Sequence, residues 1–99
     1  MNDDIDSTVS SKFDTKDLNQ AAFIFCQPGA RLVRLVPNQE KGLVVRFQFE
    51  LPMPEQDLAA LILRYANGET LVDPLDYCVK QSSLRDLLHN CRQEYRNKV

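Results

Sequence analysis

A chain of 99 residues, 43% hydrophobic and 26% charged, has the size and composition of one domain around a single core, which excludes a two-domain organisation. Three glycines and five prolines exclude a repetitive or collagen-like chain, and no apolar run approaches the roughly 20 residues of a membrane span. The net charge of −2 is unevenly divided: residues 31 to 49 carry +3, residues 50 to 79 carry −5 and residues 80 to 99 carry +3, a polarity that can orient a partner or steer a polyanion, or simply be mixed solvated charge.

Residues 1 to 11 are polar and acidic, with too little apolar surface to order themselves, so a disordered acidic tail is expected there and a single domain over residues 12 to 99. Structure is expected from about Phe13, with Asp14 or Thr15 as a helix N-cap and Asp17 in the first turn. Leu18, Ala21, Ala22 and Phe25 then share a helical face, and Pro28-Gly29 stops the helix after about three to four turns. The run from Ala21 to Cys26 is apolar on every side, which suits a buried strand as well as a buried helix; the capping pattern and the Pro-Gly exit select helix.

Arg31 to Val36 is rich in aliphatic and β-branched residues and reads as a strand ended by Pro37-Asn38. Gly42 to Leu51 alternates, with Leu43, Val45, Phe47, Phe49 and Leu51 on one side and Val44, Arg46, Gln48 and Glu50 on the other. This is the period of a strand with one buried and one wet face, and a slip of one residue would put all five apolar side chains into water. The two strands form a hairpin with a polar loop from Pro37 to Gly42. Pro52 and Pro54 end the second strand, and Pro54 opens a helix carrying Leu58, Leu61, Ile62 and Tyr65 at helical spacing, with Asn67-Gly68 as its exit. Asp73-Pro74 opens the last helix, whose stripe is Tyr77, Leu84, Leu88, Cys91 and Tyr95. Ser82-Ser83 marks a bend, or a second helix capped by Ser83 and Asp86, and the continuous helix is preferred.

The expected fold class is therefore α+β: a helix, an antiparallel β-hairpin, then two helices packed on one sheet face. Two strands alone are marginal. Residues 11 to 14, or a short piece at Thr70 to Val72, are the candidates for a third strand; homodimerisation through the exposed strand edge or the stripe of helix 74 to 97 is the intermolecular alternative.

Chemistry is sparsely represented. The single histidine, His89, and the odd set Cys26, Cys78 and Cys91 show no metal-ligand or C-x-x-C spacing, so buried thiols and a surface or packing histidine are expected. Asp73 and Asp76 are explained as an N-cap and a first-turn acid. No glycine-rich phosphate loop or nucleophile elbow is present, so neither an enzyme nor a cofactor is expected. The candidate contact residues are Arg46 and Gln48 on the wet strand face, Arg31 or Arg34 beside them according to register, Lys41 at the loop tip, and Arg92 and Arg96 on the last helix. Aromatic residues do not alternate onto that wet face, which lacks the stacking platform of single-strand binders. The expected function is a cytoplasmic, non-enzymatic interaction module that binds a protein partner or itself. The alternative is a nucleic-acid-binding accessory protein using the basic hairpin face and basic last helix.

The motifs Thr15-Lys16-Asp17-Leu18-Asn19-Gln20-Ala21-Ala22, Phe47-Gln48-Phe49, Tyr65-Ala66-Asn67-Gly68 and Val72-Asp73-Pro74-Leu75-Asp76-Tyr77, with Leu84 to Leu87, resemble a family of small uncharacterised bacterial and phage domains. The likeness covers about residues 13 to 90. It implies an arrangement of elements and a phage or mobile-element setting, and it carries over no catalytic residues.

Overall fold

The computed structural model describes residues 9–40 and 42–98; residues 1 to 8 of the expected tail, and Lys41, lie outside them. In chain order the elements are β1 (Ser11–Thr15), α1 (Leu18–Phe25), β2 (Arg31–Glu40), β3 (Gly42–Leu51), α2 (Glu55–Ala66) and α3 (Pro74–Lys98). The fold is α+β, with three antiparallel strands in the order β1-β3-β2.

The alternating strand is the centre of the molecule. Val45, Phe47, Phe49 and Leu51 are buried while Arg46, Gln48 and Glu50 stay half-exposed. Phe47 and Phe49 join Ala21, Ala22, Phe23 and Ile24 of α1, Leu58 and Leu61 of α2 and Leu84 of α3 in one core, so all three helices cover the same sheet face. Phe23 stacks on Tyr65 with ring centroids 4.5 Å apart, which fastens α2 to α1.

The third strand is β1, paired with β3 from Ser11↔Leu51 to Thr15↔Phe47; Thr70 to Val72 is not a strand. Ordered structure thus begins before Phe13. Ser11 is buried and its Oγ donates to the Met53 carbonyl at 2.6 Å, so the start of the sheet is tied down by a hydrogen bond. Ser11→Ala is expected to lower stability by about 1 kcal/mol, read from the midpoint of urea unfolding; an unchanged midpoint would show that water replaces the hydroxyl at no cost.

Because residues 11 to 15 are spent on a strand, α1 starts later and is shorter than the expected three to four turns. Its N-cap is Asp17, whose carboxylate accepts from the amides of Asn19 and Gln20, not Asp14 or Thr15. Thr15 is buried and supports this start, accepting from the Asp17 amide and donating to Gln20 Oε1. Gln27 to Ala30 then closes a turn with Pro28 second and Gly29 third at φ +76°, a conformation that glycine adopts without strain.

β2 runs through Pro37-Asn38 to Glu40, beyond the expected stop and into the expected loop, pairing Pro37 with Val45. A proline is tolerated because β2 is an edge strand, where a missing amide donor need not break the ladder. Pro54 precedes α2 as its N-cap instead of opening it. At its other end the Gly68 amide donates to the Tyr65 carbonyl and the Glu69 amide to the Arg64 carbonyl, with Gly68 at φ +72°, the paired bonds of a left-handed helix exit. The last helix is continuous through Ser82-Ser83, and Asp73 caps it by accepting from the Asp76 amide at 3.2 Å.

Candidate interaction surfaces

The sheet face away from the helices carries most of the predicted contact residues. The register pairs Arg31 with Glu50 and Arg34 with Gln48, although an even strand spacing would send those two arginines to opposite faces. A bulge at Val33, between Leu32 and Arg34, inserts the extra residue that brings both to the outer side. The choice between Arg31 and Arg34 is thereby resolved in favour of both.

Much of this charge is internally spent. Arg31 pairs with Glu50 at 2.7 Å and Arg46 with Asp14 at 2.9 Å. Gln48 accepts from Arg34 Nε at 2.8 Å and donates to the second Asp14 oxygen at 3.2 Å. The face is therefore a mixed lattice of charges rather than a basic patch, and each exposed pair adds little to stability. A shallow groove of about 390 Å³ lies on it, lined by Lys12, Asp14, Val33, Arg34 and Gln48 with Phe13 and Phe49 beneath.

Arg92 and Arg96 belong elsewhere, on α3 in the helical layer. Helical spacing sets them in line with Arg85 and His89, and these four border a pocket of about 240 Å³ with Leu88 and Gln93. No acidic residue falls on that stripe, since Asp86 and Glu94 point to other sides of the helix. His89 and Cys91, two positions apart, diverge for the same reason. Among the described residues, no group of three or more His, Cys, Asp or Glu is placed to hold a metal ion.

Comparison with family models, curated proteins and solved structures finds no match. The surfaces must therefore be read from their own chemistry.

One apolar groove is not among the surfaces expected from the sequence. Between β1 and α2 runs an open groove of about 490 Å³ lined by Phe13, Leu58, Ala59, Ile62, Leu63 and Ala66, with Lys12 and Glu55 at its rim. Leu63 is 63% exposed. The spacing of Ala59, Ile62, Leu63 and Ala66 is itself a helical stripe, a signal that was available but overshadowed by the stronger Leu58-Leu61-Ile62-Tyr65 series. Leu71, Leu75 and Val79, where α2 passes into α3, are individually exposed as well, Leu71 at 98%.

Of the groups with perturbed acidity, Cys26, Asp76 and Tyr77 lie between α1 and α3, and Tyr65 of α2 is raised by burial beside Phe23. Burial pushes the Cys26 thiol up, with neighbouring Asp76 adding to the effect, so the sulfur is held in its unreactive protonated form. Lys80 donates to Asp76 at 2.9 Å and holds that carboxyl below its ordinary value, while its ammonium lies 5.3 Å from the centre of the Phe25 ring. No helix of the described residues is long and apolar enough to cross a membrane.

Proposed function

We propose that this protein is a cytoplasmic, non-enzymatic interaction module that docks an extended protein segment along β1 and into the groove beside α2. The observation that carries this reading is the conjunction of an apolar groove with an edge strand that nothing among the described residues pairs on its outer side. Such an edge offers a row of free backbone donors and acceptors, and the neighbouring groove supplies pockets for alternate side chains, the two components of strand addition. The opposite edge is unsuited to the task, because β2 is interrupted by the bulge at Val33 and by Pro37. The resemblance to small bacterial and phage domains adds a phage or mobile-element setting to the proposal and no activity.

The second reading, nucleic-acid binding, is supported by the uncompensated stripe of Arg85, His89, Arg92 and Arg96. It gains little from the hairpin face, whose Arg31 and Arg46 already have carboxylate partners.

One set of measurements separates the two. Peptides selected from a random display library are expected to bind the wild-type protein, and to lose at least tenfold in affinity to Leu63→Glu, a change at a largely exposed site whose melting curve checks the fold. Labelled duplex or single-stranded DNA in the same assay, binding tightly at low salt and weakening steeply as salt rises, would favour the polyanion reading. Selected peptides indifferent to Leu63→Glu would remove the groove from consideration.

A further inference from the structure

We propose that the occupant of this groove is a second copy of the chain, joined by antiparallel pairing of β1 with β1 of the partner subunit about a two-fold axis at Phe13. The inference rests on the reading of the β1 edge and its groove as a docking surface, and it names what docks there.

The sequence of β1 is self-complementary in charge. In Ser11-Lys12-Phe13-Asp14-Thr15 an antiparallel register centred on Phe13 places Lys12 opposite Asp14 of the partner subunit, and Asp14 opposite Lys12 of the partner subunit. The same register sets Ser11 against Thr15 of the partner subunit and Phe13 against its own copy. Opposite charges on facing strands stabilise their pairing and like charges oppose it, so a shift by one residue loses both ion pairs and also turns the side chains to the wrong face.

Lys12 is exposed and has no ion-pair partner among the described residues, and Asp14, although already paired with Arg46, can accept a further donor. Its carboxylate accepts from Arg46 on one oxygen and from Gln48 on the other, which leaves acceptor capacity for an incoming ammonium. Without the second copy, Lys12 and the outer backbone of β1 face solvent at the rim of an apolar groove.

The helical layer fits the same symmetry. An axis perpendicular to the sheet keeps both copies' helices on one face and yields a continuous six-stranded sheet with the two β1 strands at its centre. The α2 helices are then brought side by side beneath the junction. The stripe they present to each other is Ala59, Ile62, Leu63 and Ala66, in which two alanines seven residues apart permit close approach of the helices. The joined strands satisfy the open edge, and the joined helices cover Leu63.

The test is sedimentation equilibrium of the full chain over a wide concentration series. Wild type is expected to approach twice the monomer mass at high concentration. Lys12→Asp and Asp14→Lys should each weaken association by on the order of tenfold to a hundredfold, because each replaces two attractive cross-strand pairs by two repulsive ones. Mixed in equal amounts the two variants should dimerise again, since a β1 strand carrying only acidic charge then faces one carrying only basic charge. The double variant K12D/D14K, in which the two charges are exchanged, should dimerise on its own. Melting curves show whether each variant is folded, and Leu63→Glu, outside the strand, should also abolish the dimer. A wild-type chain that stays monomeric at the highest concentration overturns the proposal, as does a folded pair of variants that fails to recover on mixing. Wild type that stays monomeric while its groove still binds selected peptides overturns self-pairing alone; loss of both overturns the docking surface itself.

Discussion

Phe47→Ala is expected to cost about 3–5 kcal/mol of folding stability, the range of a fully buried aromatic truncation. Phe47 lies on the central strand, is 1% exposed, and is flanked across the ladder by Thr15 on β1 and Leu35 on β2. Its ring packs into the core that α1, α2 and α3 close from below. Removing it opens a cavity that strands on both sides hold apart, so the surroundings can collapse only partly. A domain of this size has a total stability of roughly 5–15 kcal/mol, and each kilocalorie moves the melting temperature by about 4–8 °C. Thermal and urea unfolding followed by circular dichroism would read the change; a loss under about 1 kcal/mol would mean that the core is not continuous through this position.

The central strand was legible for the same reason that Phe47 is sensitive. A strand paired on both sides, with one face buried and one wet, imprints a period of two on its sequence. Its neighbours escape such constraint. On the edge strand β2, Pro37-Asn38 resembles a stop signal, yet an edge accommodates proline, and the ladder continues to Glu40. β1 is five residues long and partly polar, so its Asp14 and Thr15 imitate a helix cap while the true cap waits at Asp17. In α1, Ala21, Ala22, Phe23 and Ile24 are all buried, which erases the amphipathic signal and leaves helix and strand indistinguishable by periodicity.

The candidate surfaces divide along a related line. Identifying arginines and glutamine on the wet face required only alternation. Knowing that Arg46 is held by Asp14, 32 residues away, requires the strand order, and seeing Arg31 and Arg34 on one side requires the bulge. Both are tertiary facts. They turn an apparently basic hairpin into a largely self-paired one, and they move the weight of the functional argument from charge to the unoccupied edge.

Leu84→Ala tests how the longest element is held. α3 has 25 residues, roughly 37 Å of helix, yet Leu84 is its one residue counted among the buried core. Around it Tyr77 and Leu88 are half-buried against the core, and polar contacts to α1 lie at the periphery: Gln81 donates to Asn19 Oδ1 at 2.7 Å, the Tyr77 hydroxyl reaches the same residue, and Lys80 lies over Phe25. These contacts are solvent-exposed or partly so, and none of them is buried as fully as Leu84. The substitution is expected to cost about 2–5 kcal/mol, and its effect should be local as well as global. Amide hydrogen exchange should accelerate first across Tyr77 to Leu88, because a helix without its buried anchor opens at lower free energy than the sheet does. Protection in β3 should fall only with the overall stability. Equal acceleration in α3 and β3 would mean that the helix and sheet unfold as one unit and that Leu84 supports the whole core. Selective acceleration in α3 would identify it as a separately dissociable arm whose hold on the rest of the molecule depends chiefly on Leu84.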